Sequence, residues 1–290
     1  MQAKQTPPAK ADSSPTVGGM LALARQRTPV SPTTAQALLA YVVGRGRAWL
    51  LAHPEAPLSG AQAAQFAALL GRAAAGEPLA YLVGEREFCG LTFEVTPDAL
   101  IPRPESEALV EAGLAWARER SKSDPAIVDV GTGSGAIAVT LAARLPQARI
   151  AAVELSAPAL AVARRNAQRH AVADRVGLVR GDLLAALVGP FDLILANLPY
   201  VSTGELAGLE VGRWEPRLAL DGGADGLDLV RRLLEQAPAR LAPGGRLALE
   251  IGAEQGERVM TLCREAFPQA AVRLERDLAG LNRIALVDRR

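Results

Sequence analysis

The sequence predicts an α/β chain: a doubly wound, mostly parallel sheet with helices on both faces, preceded by a small all-helical segment. Three observations predict it. After Pro125, short apolar runs alternate with amphipathic stretches of helical period, the pattern of successive βαβ units. From Val17 to about Gly76 the chain is instead rich in Ala and Leu at helical spacing. Between the first apolar run and its helix lies Asp129-Val130-Gly131-Thr132-Gly133-Ser134-Gly135, a strand-to-helix junction with three alternating glycines.

Taken in order, residues 1–17 are rich in Pro, Lys, Gln and Ser without an apolar period, and are expected to be a disordered tail. Residues 18–78 form the helical domain, with stripes such as Ala35-Leu38-Leu39-Val42-Val43 and Ala63-Phe66-Ala67-Leu70 and breaks at Pro54, Pro57 and Gly60. A bundle this small suits partner binding. Residues 79–104 read as a hairpin linker, with Phe88, Leu91, Phe93 and Val95 around Gly90. The prolines of Ile101-Pro102-Arg103-Pro104 restrict the backbone ahead of a helix expected to start near Glu105, which opens the large domain, 105–290. Its strands are expected at 126–130, 150–154, 176–180, 192–196, 246–251, 271–274 and 283–287.

Length and composition set bounds. The 290 residues allow one large domain or two ordinary ones, and 49% apolar residues supply a core. No apolar stretch approaches the ~20 residues of a membrane span, and no basic segment with an apolar signal region opens the chain, so cytoplasmic residence without membrane partners is expected. Cys89 and Cys263 are expected to fill core space, and with only His53 and His170 beside them no metal site is expected. A formal charge of +1 gives no large basic footprint, so no direct nucleic-acid partner is expected.

The chemistry is concentrated at the ends of the predicted strands, where ligands bind in such sheets. Gly131, Thr132, Gly133, Ser134 and Gly135 form a loop that lets backbone approach a ligand, and the helix N-terminus behind it favours a carboxylate or phosphate. Glu154 ends the second strand 19 residues after Gly135, where a carboxylate can accept both ribose hydroxyls of a nucleoside. Asp182 and Leu183 follow the third strand, the first placed to accept from an adenine amino group and the second to pack on the ring. These features fit either S-adenosyl-L-methionine or a nicotinamide dinucleotide.

Asn197-Leu198-Pro199-Tyr200, directly after the strand Asp192–Ala196, separates the two. The Asn197 side-chain oxygen and the Leu198 carbonyl can accept both N–H groups of a planar amino group, Pro199 stiffens the turn, and Tyr200 supplies an aromatic wall. Methyl transfer to an amide or nucleobase nitrogen wants this arrangement, whereas hydride transfer does not. No His or Cys lies within any motif to serve as base, so positioning and preorganised acceptors must supply the rate. The connection from Val201 to Gly226, with Trp214 and Arg217, is long for its place and is expected to form the substrate-side wall or a lid.

Read together, Gly84–Phe88, Thr96-Pro97-Asp98, Ile101–Glu105, the Gly131–Gly135 loop, Asn197–Tyr200, Glu215–Gly223 and Leu249–Gly252 resemble, in order, the HemK/PrmC family of release factor N5-glutamine methyltransferases. The resemblance covers residues 20 to 288. It implies a Rossmann-like class I S-adenosylmethionine-dependent methyltransferase fold, seven-stranded, behind an all-α domain that helps hold the peptide-chain release factor. It further implies that the Gly131–Gly135 loop, Glu154 and Leu183 hold the cofactor, with Leu100 and Arg103 close to it. Asn197–Tyr200 would hold the glutamine of the Gly-Gly-Gln motif.

Three positions depart from the family pattern. Leu198 stands where proline is usual, but the group it offers is its backbone carbonyl. Glu154 replaces the commoner Asp and Ser106 a usual Thr; each keeps the polar group. Leu198 also makes the tetrapeptide similar to that of ribosomal RNA adenine dimethyltransferases, in which an aromatic stacks on a flipped base. The near-neutral charge and the Ile101–Glu105 and Glu215–Gly223 segments favour the glutamine enzymes. A non-catalytic S-adenosylmethionine-binding partner protein is the third alternative, against which the intact acceptor positions stand.

Overall fold

A computed structural model describes residues 15–120, 122, 124–277 and 279–290. The chain divides into two compact units, one ending at Val83 and the other running from Gly84 to Arg290.

The first unit is helical: α1 (Val17–Arg27), α2 (Pro32–Val43), α3 (Arg47–Ala52), α4 (Gly60–Ala74) and α5 (Leu79–Val83). Local chemistry sets its boundaries. Ser31 caps α2 ahead of Pro32, and Gly44 closes that helix in the left-handed conformation. Ser59 and Gln62 form a reciprocal capping box at the start of α4. Val17, Leu38, Leu39, Leu50 and Phe66 are fully buried in its core. Most of the expected disordered tail, residues 1–14, lies outside the described residues. Its last part differs from expectation, because Thr16 caps α1 and Pro15 accepts the Leu58 N–H at 2.7 Å.

The second unit opens with the hairpin β1 (Glu85–Phe88) and β2 (Leu91–Glu94), which is part of this unit and not a separate linker. Its two-residue turn places Cys89 (φ 51°) and Gly90 (φ 79°) both at positive φ, the geometry that matches the twist of paired strands. Cys89 is therefore a half-buried turn residue, while Cys263 is fully buried in the core as expected. A single 3₁₀ turn at Pro104–Ser106 precedes α6 (Glu107–Arg120), so the helix proper starts two residues later than expected.

A seven-stranded sheet follows: β3 (Ala126–Val130), β4 (Arg149–Glu154), β5 (Val176–Arg180), β6 (Phe191–Ala196), β7 (Leu241–Glu250), β8 (Ala271–Arg276) and β9 (Asn282–Asp288). Their spatial order is 5-4-3-6-7-9-8, and β9 alone runs antiparallel to its neighbours. The helices α7 (Ala136–Arg144), α8 (Ala157–Arg169), α9 (Thr203–Leu206), α10 (Asp228–Gln236) and α11 (Gly256–Ala266) complete the unit.

Burial on both faces follows from the alternation of apolar residues along the central strands. Ile127, Leu193, Leu195 and Ala248 join one core with α6 and α7; Val128, Val130, Ile194, Ala196 and Leu249 join the other with α10 and α11. Among the described residues no helix is long and apolar enough to cross a membrane. Strands β3 and β6 are neighbours, with Val130 opposite Ala196, although β4 and β5 intervene in sequence. The connections leaving β3 therefore diverge, and a crevice opens beyond these two strand ends.

Candidate active site

Two adjoining cavities occupy that crevice. The larger, about 690 Å³, is lined by Gly131, Gly133, Glu154, Leu183 and Asn197 among others; the smaller, about 170 Å³, by Arg103, Tyr200, Val211 and Glu250. Leu100, Asn197, Leu198, Pro199 and Ala219 line both. The first three residues of the tetrapeptide singled out in the sequence thus border both cavities, and Tyr200 borders the smaller alone.

The glycine loop is fixed from below. Gly131, Gly133 and Gly135 all have positive φ, and the Gly131 and Thr132 N–H groups donate to the Val153 carbonyl at the end of β4. At Gly133 an added Cβ would meet no atom closer than 4.0 Å, so this side of the loop is open to the larger cavity. At Gly135 it would stand 3.1 Å from Ala163 Cβ; that glycine serves helix packing.

The helix behind the loop already has an anion. Asp129, fully buried, accepts from Thr132 Oγ1 at 2.6 Å and from the Ala138 N–H in the first turn of α7 at 3.2 Å. Burial pushes its carboxyl up to about 6, against the pull of those two bonds. The expectation that the helix N-terminus takes a ligand's carboxylate or phosphate is thus altered: the chain's own side chain meets one of the free N–H groups there.

Glu154 reaches back to the same loop. Its Oε2 accepts from the Gly133 N–H at 3.0 Å and its Oε1 from the Ser156 N–H at 2.9 Å. Each oxygen has a further lone pair, and the residue lines the larger cavity. Leu183 lines the cavity too, nearly buried, at a φ of 52° that a leucine rarely adopts. Asp182 lies on the same wall but forms an ion pair with Arg232 from α10. Any acceptor role toward a ring amino group is shared with that guanidinium.

At the tetrapeptide, Asn197 Nδ2 donates to Ser106 Oγ at 2.8 Å, which leaves the Asn197 Oδ1 as an acceptor. The Tyr200 carbonyl accepts from Gln255 Nε2 at 3.0 Å, and the same amide nitrogen bonds the Gly226 carbonyl. Burial raises the Tyr200 hydroxyl above its ordinary range, with the nearby Glu250 adding to the effect, so the ring presents a neutral phenol. Arg103 lines only the smaller cavity, where it pairs with the buried Glu215; Leu100 borders both spaces. Of the connection Val201–Gly226, residues Pro216 to Ala219 and Asp221 to Gly223 wall the larger cavity, and Val201, Val211, Ala219 and Leu220 the smaller.

Three functional neighbours have no local signal in the sequence: Gln255, which clamps the Tyr200 backbone; Glu215, which holds the Ile101–Arg103 loop; and Glu250 at the end of β7. Glu215 and Glu250 stand inside motif segments, but nothing local marks them as buried.

Comparison with known proteins agrees with this geometry. Residues 19–84 match the PrmC N-terminal domain and residues 114–211 the methyltransferase small domain. The release factor glutamine methyltransferase of Bordetella pertussis is 47% identical over 255 residues, which is 87% of this chain and 92% of the relative. That of Moorella thermoacetica is also 47% identical, over 88% of this chain and 90% of the relative.

The chain belongs to the release factor glutamine methyltransferase family.

That membership makes it a methyltransferase, and it shows that the two matched segments belong to one family architecture. Solved structures agree on the fold alone. The hMettl16 catalytic domain in complex with MAT2A 3'UTR hairpin 6 has a TM-score of 0.55 at 15% identity, covering 79% of this chain and 82% of that one. The Thermus thermophilus 16S rRNA N2 G1207 methyltransferase, in complex with AdoMet and guanosine, has a TM-score of 0.50 at 20% identity, over 71% of this chain and 50% of that one.

Proposed function

We propose that this member of the family transfers a methyl group from S-adenosylmethionine, held in the larger cavity, to the side-chain amide nitrogen of the Gly-Gly-Gln glutamine of a peptide-chain release factor, held in the smaller. The observation that carries this reading is the shared wall: Asn197, Leu198 and Pro199 border both spaces at once. A group bound on either side meets the other there.

The larger cavity suits the donor. Its volume lies within the range typical of small-molecule sites, its glycine edge is open at Gly133, and Glu154 and Leu183 offer a carboxylate and an apolar face. When bound, S-adenosylmethionine supplies an electrophilic methyl on a sulfonium. Glu154 would hold the ribose hydroxyls, Leu183 the adenine ring, and the Gly131–Gly135 loop the remainder.

The chain's own residues then act by orientation. An amide nitrogen is a poor nucleophile because its lone pair is delocalised into the carbonyl. Asn197 Oδ1 and the Leu198 carbonyl accept its two N–H bonds, which fixes the nitrogen at the boundary of the cavities and favours the positive charge that grows there. Alignment of reacting groups is worth up to ~7–11 kcal/mol in well-oriented cases. Tyr200 and the connection through Leu220 close the far side, excluding water. The surplus proton leaves after transfer, so no strong base is needed. Release factors act in the cytoplasm, which is where the reading places the enzyme, with the helical unit as a holder of the protein substrate.

The test is methyl transfer from labelled S-adenosylmethionine to an unmethylated release factor, beside a copy whose Gly-Gly-Gln glutamine is replaced and beside unmodified ribosomal RNA. Label on the intact factor alone is expected. Label on RNA would transfer the assignment to the adenine enzymes, and no label with donor bound would mark a non-catalytic binder.

A further inference from the structure

Glu250 closes β7 inside the smaller cavity, 2% exposed, and neither of its carboxyl oxygens has a hydrogen-bond partner of ordinary geometry. A buried carboxyl left unpaired is costly, and such groups are found where a site uses them. Its surroundings are specific. Ser106 on the 3₁₀ turn and Asn197 after β6 both face the carboxyl and favour its charged form, as does Arg283 on β9; Glu105, also on the turn, disfavours it. The Tyr200 hydroxyl stands near enough to feel the charge of Glu250, and Arg103 lines the same cavity while paired to Glu215.

The two ends of an asparagine amide have nearly the same shape, so neighbours decide which end points where. Asn197 Nδ2 donates to Ser106 Oγ, but a hydroxyl can also donate. Were Ser106 to give its hydrogen to Asn197, the amide would turn, and an NH₂ group would confront the NH₂ of the substrate. An acceptor for the Ser106 hydrogen prevents this, and the Glu250 carboxylate is the acceptor that faces it.

We propose that Glu250 is a positioning residue: its carboxylate takes the hydroxyl hydrogen of Ser106, Ser106 is thereby restricted to accepting from Asn197 Nδ2, and Asn197 Oδ1 is held as the acceptor for the substrate amide. This rests on the reading of Asn197 given above. Burial is the largest influence on the carboxyl and pushes it up to about 7, so the relay is set by pH near neutrality.

The test compares Glu250→Gln, Ser106→Ala, Ser106→Thr, the Glu250→Gln/Ser106→Ala pair and Asn197→Ala in the full chain, with an unmethylated release factor as acceptor. Calorimetric affinity for S-adenosylmethionine serves as the control for folding. In the parent enzyme kcat/KM is expected to rise with pH through an inflection near 7. Glu250→Gln, whose amide can turn an NH₂ toward Ser106 where the carboxylate only accepts, is expected to lose that inflection and about tenfold in kcat, with both KM values changed by no more than about twofold. Ser106→Ala should lose a similar factor, the pair should lose no more than either alone, and Ser106→Thr should restore the rate. A Glu250→Gln enzyme with parental kcat and an unchanged inflection, or losses that multiply in the pair, would overturn the relay. If Glu250→Gln does not fold, Ser106→Ala decides: parental turnover there refutes the relay. Parental turnover in Asn197→Ala would instead remove the underlying reading of the site, an outcome distinct from failure of Glu250 alone.

Discussion

Glu215 and Ile101, 114 positions apart, are joined by a hydrogen bond of 3.0 Å from the Ile101 N–H to Glu215 Oε2. The other carboxylate oxygen pairs with Arg103, and the Glu215 side chain is almost entirely buried. One carboxylate thus ties the proline-rich loop, which carries Leu100 and leads to Ser106, to the connection that walls both cavities. Glu215→Ala would leave a backbone N–H and a guanidinium without their partner. We expect it to cost about 1–3 kcal/mol of stability, read by denaturant unfolding. We also expect it to lower kcat/KM for the protein substrate more than it weakens donor binding. Glu215→Gln, which keeps an acceptor for Ile101, should fall between.

Glu154 has a double duty, bonding the Gly133 and Ser156 N–H groups and lining the larger cavity. Glu154→Ala is expected to weaken S-adenosylmethionine binding by roughly 10–100-fold, the worth of one or two hydrogen bonds to a charged group. The thermal stabilisation by saturating donor should shrink with it. Calorimetry that finds parental affinity would exclude the ribose role. Asp182→Asn should cost less, since Asp182 is an exposed partner of Arg232.

Gly222 lies so close to the tetrapeptide that a Cβ there would stand 2.6 Å from the Pro199 carbonyl oxygen. Backbone cannot yield as a flexible side chain can, so Gly222→Ala must move Pro199 or its own turn. The expected result is a fall in kcat of about tenfold or more, with donor affinity nearly unchanged. Parental kcat in a soluble Gly222→Ala protein would show that the register of Pro199 does not matter to turnover.

The charge on Glu250 has a thermodynamic sign that can be measured without substrate. Its folded carboxyl titrates at about 7, above the ordinary glutamate value of 4.5, so its favourable contribution is complete below about pH 4.5 and is lost as pH rises through 7. The parent should therefore lose stability relative to Glu250→Gln across that window, by an amount on the order of 3 kcal/mol. Unfolding curves of the two proteins at pH 5 and pH 8 give the comparison; a constant difference would mean that the carboxyl is not perturbed.

Much of this site was legible because its parts are local. The Gly131–Gly135 loop, Glu154 and Asn197–Tyr200 each follow a strand end, and a parallel sheet brings strand ends together whatever the details of packing. The groups that orient those parts were not legible, because each acts across a long stretch of chain: Ser106 on Asn197, Gln255 on Tyr200, Glu215 on Ile101. Asp182 looked free to accept because Arg232, its partner, is 50 residues away. Cys89 read as core because cysteine has no turn propensity, yet the two-residue spacing between Phe88 and Leu91 places it in the turn.

One side chain bonds both the hairpin and the glycine loop. Asn166, fully buried on α8, accepts from the Glu94 N–H at 2.7 Å and donates to the Glu94 and Ser134 carbonyls at 2.9 and 2.8 Å. Val95, just beyond β2, donates to the Gly84 carbonyl at 3.0 Å, which closes the base of the hairpin. The hairpin therefore travels with the catalytic half when the protein is considered as interchangeable modules. A different recognition module would be grafted ahead of Gly84, with these bonds left whole, whereas a cut after Pro104 would remove both Glu94 bonds and leave the buried Asn166 amide only the Ser134 carbonyl to hold.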